Sequence, residues 1–352
     1  MGIKIALAGN PNCGKTTMFN ALTGANQYVG NWPGVTVEKK EGKLKGKRKN
    51  DDIIVTDLPG IYSLSPYTLE EVVSRDYILN DDPDVIIDLV DATNIERNLY
   101  LTTQLIETGV PVVIALNMTD LLEKRGIKID TNRLSMLLDC PIVETSALKQ
   151  TGLDTLIETA IKVANKKEVD LPREIFSKEM EAAVADVKGV LPDTISEDKK
   201  RWYAVKFLEN DSKVVESMNL SAAAKAAVDK DRKELETKHD DDMESIVTDE
   251  RYKFIQKIVE TTVKKGKDKL TTSDKIDRIV TNRILGIPIF IAVMFVVYYI
   301  SVTTIGTIVT DWTNDTLFGE WIIPGAQSLF ENIGCADWLT GLIVDGVISG
   351  VG

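Results

Sequence analysis

The chain has 352 residues, room for two or three domains at the usual ~100–200 residues each. Its 42 Lys and Arg stand against 54 Asp and Glu, a net charge of −12, which argues against nucleic acid as a main partner because a polyanion needs a basic face. A composition 43% hydrophobic and 27% charged excludes wholesale disorder, while three cysteines and a single histidine, His239, exclude a disulfide framework and a His-based metal site.

The N-terminus does not read as a secretory signal, because the apolar run Ile3–Ala8 enters a Gly-rich turn with no basic leader. Ile3–Ala8, Ile53–Thr56, Val85–Val90, Val112–Leu116 and Ile142–Val143 are short, β-branched and bounded by turn residues, the pattern of buried strands. Helical stretches separate them, so Met1–Lys167 is expected to form an α/β domain with a mostly parallel sheet. Val35–Leu44 alternates as a solvent-facing strand does, and Gly46 to Asn50 suggest a hairpin turn after it. The basic run Lys43–Lys49 is taken as a charged turn.

Residues 168–270 are charged and helix-forming, with helices expected over Phe176–Lys188, Ser196–Leu208, Lys213–Met218, Ser221–Asp242 and Glu250–Lys265. This zone reads as a small helical bundle. Asp240 to Asp242 and His239 read as solvated, Cys13 as a loop filler and Cys140 as core.

Residues 271–352 change character. From Ile284 to Thr310, 27 consecutive residues carry no charge, longer than the ~20 that cross a bilayer. Lys264, Lys265, Lys267, Lys269, Lys275, Arg278 and Arg283 precede this stretch, whereas Asp311, Asp315 and Glu320 follow it. The positive-inside rule then puts the first two zones in the cytoplasm. Trp338–Gly352 is apolar and stops without a polar anchor, as a helix cut part-way would, so the chain is expected to be the first part of a polytopic protein. Cys335 has no paired ligand near it in sequence.

Gly9-Asn10-Pro11-Asn12-Cys13-Gly14-Lys15-Thr16, with Thr17, fits the phosphate-binding loop G-x-x-x-x-G-K-[ST] between a strand and a helix. Backbone N–H groups there point at phosphate, Lys15 reaches the β- and γ-phosphates and the Thr16 hydroxyl ligates Mg²⁺. Asp57-Leu58-Pro59-Gly60 ends the second buried strand, where Asp57 can serve Mg²⁺ and the Gly60 N–H the γ-phosphate. Asn117-Met118-Thr119-Asp120 ends the fourth, and a carboxylate at Asp120 accepts N1–H and N2–H₂ of guanine, donors that adenine lacks. Ser146-Ala147-Leu148 ends the last, and the Ala147 N–H can meet guanine O6. Their order, each at the carboxyl end of a strand, is where open parallel sheets bind ligands.

The set resembles the small GTPase superfamily, in its translation-factor-related branch. Asn31-Trp32-Pro33-Gly34-Val35-Thr36-Val37-Glu38, joined to Asp57–Leu64 and to the apolar span, is similar to FeoB, the prokaryotic ferrous iron transport protein B family. Arg201–Leu208 and Arg251–Ile255 resemble that family's helical domain, which restrains nucleotide release, and Asp274–Arg278 resembles its entry into the membrane.

The resemblance implies a P-loop GTPase domain, a helical domain and the start of an α-helical membrane permease in the prokaryotic inner membrane. It implies Fe²⁺ as cargo, a homo-oligomer, membrane lipid and small accessory proteins as partners, and GTP with Mg²⁺ as ligands. A membrane-tethered regulatory GTPase outside transport is the alternative. Thr36, with Gly34 and Val35, matches switch I, whose threonine joins Mg²⁺ beside the γ-phosphate, and Asp57–Arg75 matches switch II. Lys15, Thr36 and Gly60 are the expected catalytic positions. In Ras-like enzymes a Gln follows the DxxG glycine; here Ile61 does, so turnover of ~10⁻⁴ to 10⁻² s⁻¹ is expected. Asn12 matches the asparagine of potassium-activated relatives, with the Gly30 and Trp32 carbonyls completing a K⁺ site that supplies the charge of a missing arginine. Met118, where a Lys is usual, implies modest affinity and quick GDP release.

Overall fold

The structure, a computed structural model, describes residues 2–24, 27–45, 53–65, 67–166, 174–218, 220–265, 279–282 and 285–351. It divides into two compact units, Met1–Lys269 and Leu270–Gly352.

In the first unit, β1 (Lys4–Gly9), β4 (Ile54–Asp57), β5 (Val85–Asp91), β6 (Val112–Asn117) and β8 (Ile142–Glu144) run parallel. Two antiparallel strands, β2 (Gln27–Asn31) and β3 (Glu38–Lys43), extend one edge to give the order β2-β3-β4-β1-β5-β6-β8. The period of two sorts the side chains. Ile5 and Leu7 join the core under α1 (Lys15–Thr23) and α6 (Leu153–Asn165). Ala6 and Ala8 join the opposite core under α2 (Leu69–Asn80), α3 (Ile95–Glu107) and α5 (Thr131–Leu138). Both faces are therefore dry, as the continuous apolar strands require.

The edge hairpin departs from the sequence reading. The stretch Val35–Leu44 becomes a strand only from Glu38, because the Trp32 N–H donates to the Val37 carbonyl at 2.9 Å and turns the chain there. The strand β2 had no apolar alternation to announce it: Tyr28 and Val29 are both exposed. The basic turn at 46–50 lies outside the described residues.

A bundle of α7 (Lys178–Val190), α8 (Glu197–Leu208), α9 (Ser212–Ser217) and α10 (Ala222–His239) encloses its own core around Met180, Val187, Trp202, Leu208 and Leu235. The helix α10 stops at His239, because Asp240 takes a left-handed conformation (φ 53°) and the Asp242 carboxylate accepts the Ser245 N–H (2.9 Å) to cap a new helix. That helix, α11 (Met243–Thr262), starts earlier than its composition suggested. At 20 residues it is ~30 Å long and serves both bodies. Ile246 and Val247 pack into the bundle, while Ile255 and Ile258 pack into the sheet core. It ends in β9 (Val263–Lys265), which pairs antiparallel with β7 (Ile127–Ile129), so sheet pairing overrides helix over those three residues.

Buried charge joins the bodies as well. The Arg251 guanidinium donates to Glu107 at 2.5 Å and Arg201 Nε lies 4.0 Å from Glu107 Oε1; within the bundle Arg201 grips Glu181 through two nitrogens at 2.6 and 2.7 Å, and the Phe176 ring has both guanidiniums within about 5.3 Å. From α2, Arg75 donates to the buried Asp211 at 2.9 Å.

Among the described residues, the second unit contains one helix long and apolar enough to cross a membrane, Gly286–Ile333, with a mean hydropathy of 2.2 in its most apolar stretch. None of that stretch is buried, so it is no core helix of this structure. Residues 286–310 make up its first half, and the helix continues through Asp311, Asp315 and Glu320. Gly334 ends it in a left-handed conformation (φ 76°). Of the basic residues that set the expected orientation, Lys267, Lys269, Lys275, Arg278 and Arg283 lie outside the described residues, as does the Asp274–Arg278 segment.

Candidate functional site: a Gly-rich loop tied to the loop after the last parallel strand

The turn from β1 to α1 is shaped by backbone angles that few side chains tolerate. Gly9 has φ 151° and Gly14 has φ 92°. A Cβ on Gly9 would lie 2.7 Å from the Leu89 carbonyl, and one on Gly14 would lie 2.6 Å from Asn117 Nδ2. Asn12 sits in the left-handed region at φ 67°, a conformation asparagine tolerates better than most. Pro11 is half-buried, while Thr16 and Thr17 are exposed at the start of α1. Asn10 is 4% exposed and neither atom of its amide has a protein partner, which leaves two polar groups of this loop unsatisfied.

Asn117, at the end of β6, is the tie. Its Nδ2 donates to the Cys13 carbonyl at 2.8 Å and its Oδ1 accepts from the Ala147 N–H at 2.9 Å. One buried amide thus fixes the phosphate loop to the Ser146–Ala147 loop. Met118 has φ 62°, and its terminal methyl lies 3.9 Å from the Cβ position of Gly14. The thioether therefore packs beside the phosphate-loop glycine. Asp120 lies in the first turn of α4 (Thr119–Arg125), and Leu148 is exposed.

Asp57 ends β4, and its carboxylate pairs with the Lys15 ammonium. Burial pushes this carboxyl up from its ordinary value, with Lys15 pulling the other way. The next residues close on the phosphate loop: the Ile61 N–H donates to the Gly9 carbonyl at 3.3 Å, and a Cβ on Gly60 would lie 3.3 Å from Pro11 Cα. Leu58 and Ile61 are buried in the sheet core, with Pro59 and Gly60 between them. Ile61 thus holds the strand end down and presents no chemistry.

Sequence reasoning missed what holds the segment after it. The buried Glu71 carboxylate accepts from the Ser63 hydroxyl (2.8 Å), the Ser65 hydroxyl (2.7 Å) and Thr68, while the Gln104 side chain accepts the Leu64 N–H (2.6 Å). The capping-box spacing Thr68–Glu71 was the available signal. Arg97 stacks on Tyr62, 4.2 Å from the ring centroid.

Thr36 is not drawn in with these segments. It stands exposed between β2 and β3, next to Gly34 (φ 77°) and half-buried Val35. Its neighbour Trp32 is the anchor, buried edge-on against Tyr77 at 5.3 Å with Lys39 over its face. Gly30 lies in β2 opposite Lys39. The Cys13 thiol is pushed up to about 12 by burial and by Asp88, so it stays protonated.

The donors suited to a divalent cation here are the Thr16 hydroxyl and the Asp57 carboxylate, oxygens only, which fits Mg²⁺ better than a softer metal. Among the described residues no group of three or more His, Cys, Asp or Glu could hold a metal.

Two family models match: Ferrous iron transport protein B over residues 3–160 and the FeoB cytosolic helical domain over 176–264. A GDP-bound mutant of the S. thermophilus FeoB G-domain is 48% identical, with a TM-score of 0.72, and is covered over 100% of its length by 74% of this chain. The chain belongs to the FeoB family. The mGMPPNP-bound NFeoB from S. thermophilus is also similar, at 48% identity and a TM-score of 0.66 over 75% of this chain and 99% of that one. The Fe(2+) transporter FeoB of Escherichia coli O157:H7 is 36% identical over 99% of this chain and 44% of its own. The FeoA–FeoB fusion protein of Porphyromonas gingivalis is 39% identical over 99% of this chain and 42% of its own. The chain thus spans about half the length of the curated FeoB relatives it matches.

Proposed function

We propose that residues 1–167 bind and slowly hydrolyse GTP, that residues 168–270 restrain nucleotide release, and that residues 271–352 open the membrane part of an Fe²⁺ transporter. One observation carries the nucleotide reading. Asn117 bonds to both the phosphate loop and the Ala147 N–H, so the phosphate end and the base end of one ligand are set by a single side chain. In that pocket the N–H groups of Gly14 to Thr17 face phosphate, Lys15 leaves Asp57 for the phosphate oxygens, and Asp120 accepts the guanine edge. Mg²⁺ would be held by Thr16 and Asp57, with Thr36 brought in as switch I folds over, and when bound it neutralises charge between the β- and γ-phosphates.

Hydrolysis is expected to be slow, because the residue after Gly60 is buried aliphatic rather than a water-positioning glutamine. Asn12, with the Gly30 and Trp32 carbonyls, is the proposed K⁺ site. Iron as cargo, an inner-membrane location with the GTPase domain in the cytoplasm, several membrane passes, a homo-oligomer and small accessory proteins are proposed from the family alone.

The deciding experiment is a titration of the chain with GDP and ADP, repeated with Lys15→Ala. A preference for GDP over ADP is expected, with binding of both diphosphates lost or much weakened in Lys15→Ala; equal affinity for both bases, or binding untouched by Lys15→Ala, would overturn the reading. Hydrolysis measured in KCl and NaCl tests Asn12: the KCl rate should be higher, and Asn12→Ala should remove the difference.

A further inference from the structure

The turn after β8 is narrow. Ser146 and Thr151 exchange both backbone hydrogen bonds at 3.2 Å, and the Ser146 hydroxyl accepts the Lys149 N–H at 3.3 Å. Gln150 is left-handed (φ 54°), and Gly152 (φ 78°) has no space for a side chain, since a Cβ would lie 2.2 Å from the Glu144 carbonyl. This turn carries the Lys149 side chain back across the base loop, where its ammonium lies 3.2 Å from Asp120 Oδ2. Asp120 is 17% exposed at its side chain and Lys149 57%. Partial desolvation pushes the Asp120 carboxyl up, but hydrogen bonds from Lys149 and Ser146 more than offset it and leave it below its ordinary value.

We propose that Lys149 tunes the affinity of the guanine pocket as an internal competitor whose ammonium contends with the guanine edge for the Asp120 carboxylate. The inference rests on the GTP-binding reading above. The sign follows from electrostatics. Guanine presents N1–H and N2–H₂, the positive end of its edge, to both carboxylate oxygens; an ammonium already on Oδ2 repels that edge and must swing aside. Each departure of the base is met by a tethered cation that recaptures the carboxylate. Lys149 therefore weakens nucleotide binding and hastens release. A half-exposed pair in water is weak, so the effect is modest, about two- to fivefold in affinity.

The test uses the whole chain in detergent and mant-GDP as the probe. Lys149→Gln is expected to bind about two- to fivefold more tightly and release more slowly, the gain shrinking at about 1 M salt, where screening acts over about 3 Å. Lys238→Gln, the same charge change on α10, should change nothing. The second arm replaces the carboxylate: Asp120→Asn, whose amide can donate to the C2 carbonyl of xanthine, is titrated with xanthosine diphosphate. There Lys149→Gln should give no gain, because the ammonium has lost its partner. Weaker or unchanged GDP binding by Lys149→Gln overturns the inference, as does an equal gain in both backgrounds, which would reflect a loosened turn. If the wild-type chain binds no guanine nucleotide, the GTP-binding reading itself falls.

Discussion

The two halves of the site are built differently. On the base side, Asn117, Ala147 and Cys13 are locked by buried hydrogen bonds within a few residues of the strand ends, and little there can move. On the switch side, the same sheet edge hands over to segments held by contacts unrelated to phosphate: Trp32 by Tyr77, Ser63, Ser65 and Thr68 by Glu71, and α2 by Asp211 of the helical bundle. A rigid half can select a ligand, and a half anchored elsewhere can report it, because its position is decided by a competition between two sets of contacts. The helical bundle enters that competition directly, since Asp211 also caps α9 through the Lys213 and Val214 N–H groups.

The largest effect should come from breaking the anchor of the switch half. Arg75→Met leaves the Asp211 carboxylate buried beside α2 without its cation, and stability should fall by about 3–5 kcal/mol. Denaturant unfolding of the full chain measures it, with Arg75→Met/Asp211→Leu as the companion. The double variant should recover much of the loss, whereas no recovery would show that Asp211 matters as a helix cap rather than as half of a pair.

A smaller effect is expected on the rigid half. Asn117→Ala orphans the Cys13 carbonyl and the buried Ala147 N–H, at about 1–3 kcal/mol for each group left without a partner. GDP affinity should drop by roughly thirty- to a thousandfold, corresponding to about 2–4 kcal/mol. A drop below about threefold would mean that the base loop is held by its own turn, and the contrast between the two halves would weaken.

These two sites also differ in how far the sequence disclosed them. Every residue of the rigid half lies in a short motif at the end of an apolar strand, because a loop that must meet a fixed ligand with backbone groups has few permitted sequences. Gly9 and Gly14 are demanded by backbone angle alone. The switch half relies on partners far away in the chain: Arg75 meets Asp211 across 136 residues and Tyr67 meets Glu244 across 177. No local pattern encodes such a meeting. The strand β2 was hidden for a related reason, since an edge strand with Tyr28 and Val29 in solvent owes its existence to β3 and not to its own alternation. Lys149 was passed over because its role depends on a turn that folds it back on Asp120, three strand ends from where the phosphate motif begins.

The smallest effect, read as a slope per pH unit, concerns Asp88, which lies in the middle of β5 between the two halves and is wholly buried. The Thr102 hydroxyl donates to Asp88 Oδ2 at 2.6 Å and also lies 3.3 Å from the Asn98 carbonyl, so one hydrogen faces two acceptors. A proton on Asp88 resolves the shortage, with Asp88 donating to Thr102 and Thr102 to Asn98. Burial pushes the carboxyl up to about 7, with Thr102 opposing it only in part. Because the folded value is raised, the folded chain binds more protons than the unfolded chain between pH ~4 and ~7. The contribution of Asp88 to stability is then full below pH ~4, declines by up to ~1.4 kcal/mol per pH unit across that window and is constant above it. Asp88→Asn keeps the shape and supplies a permanent donor, so it should remove this part of the slope and stabilise the chain at pH 8. Parallel stability profiles for wild type and Asp88→Asn from pH 5 to 8 would mean that the carboxylate is charged in the fold, and that a partner other than Thr102 satisfies it.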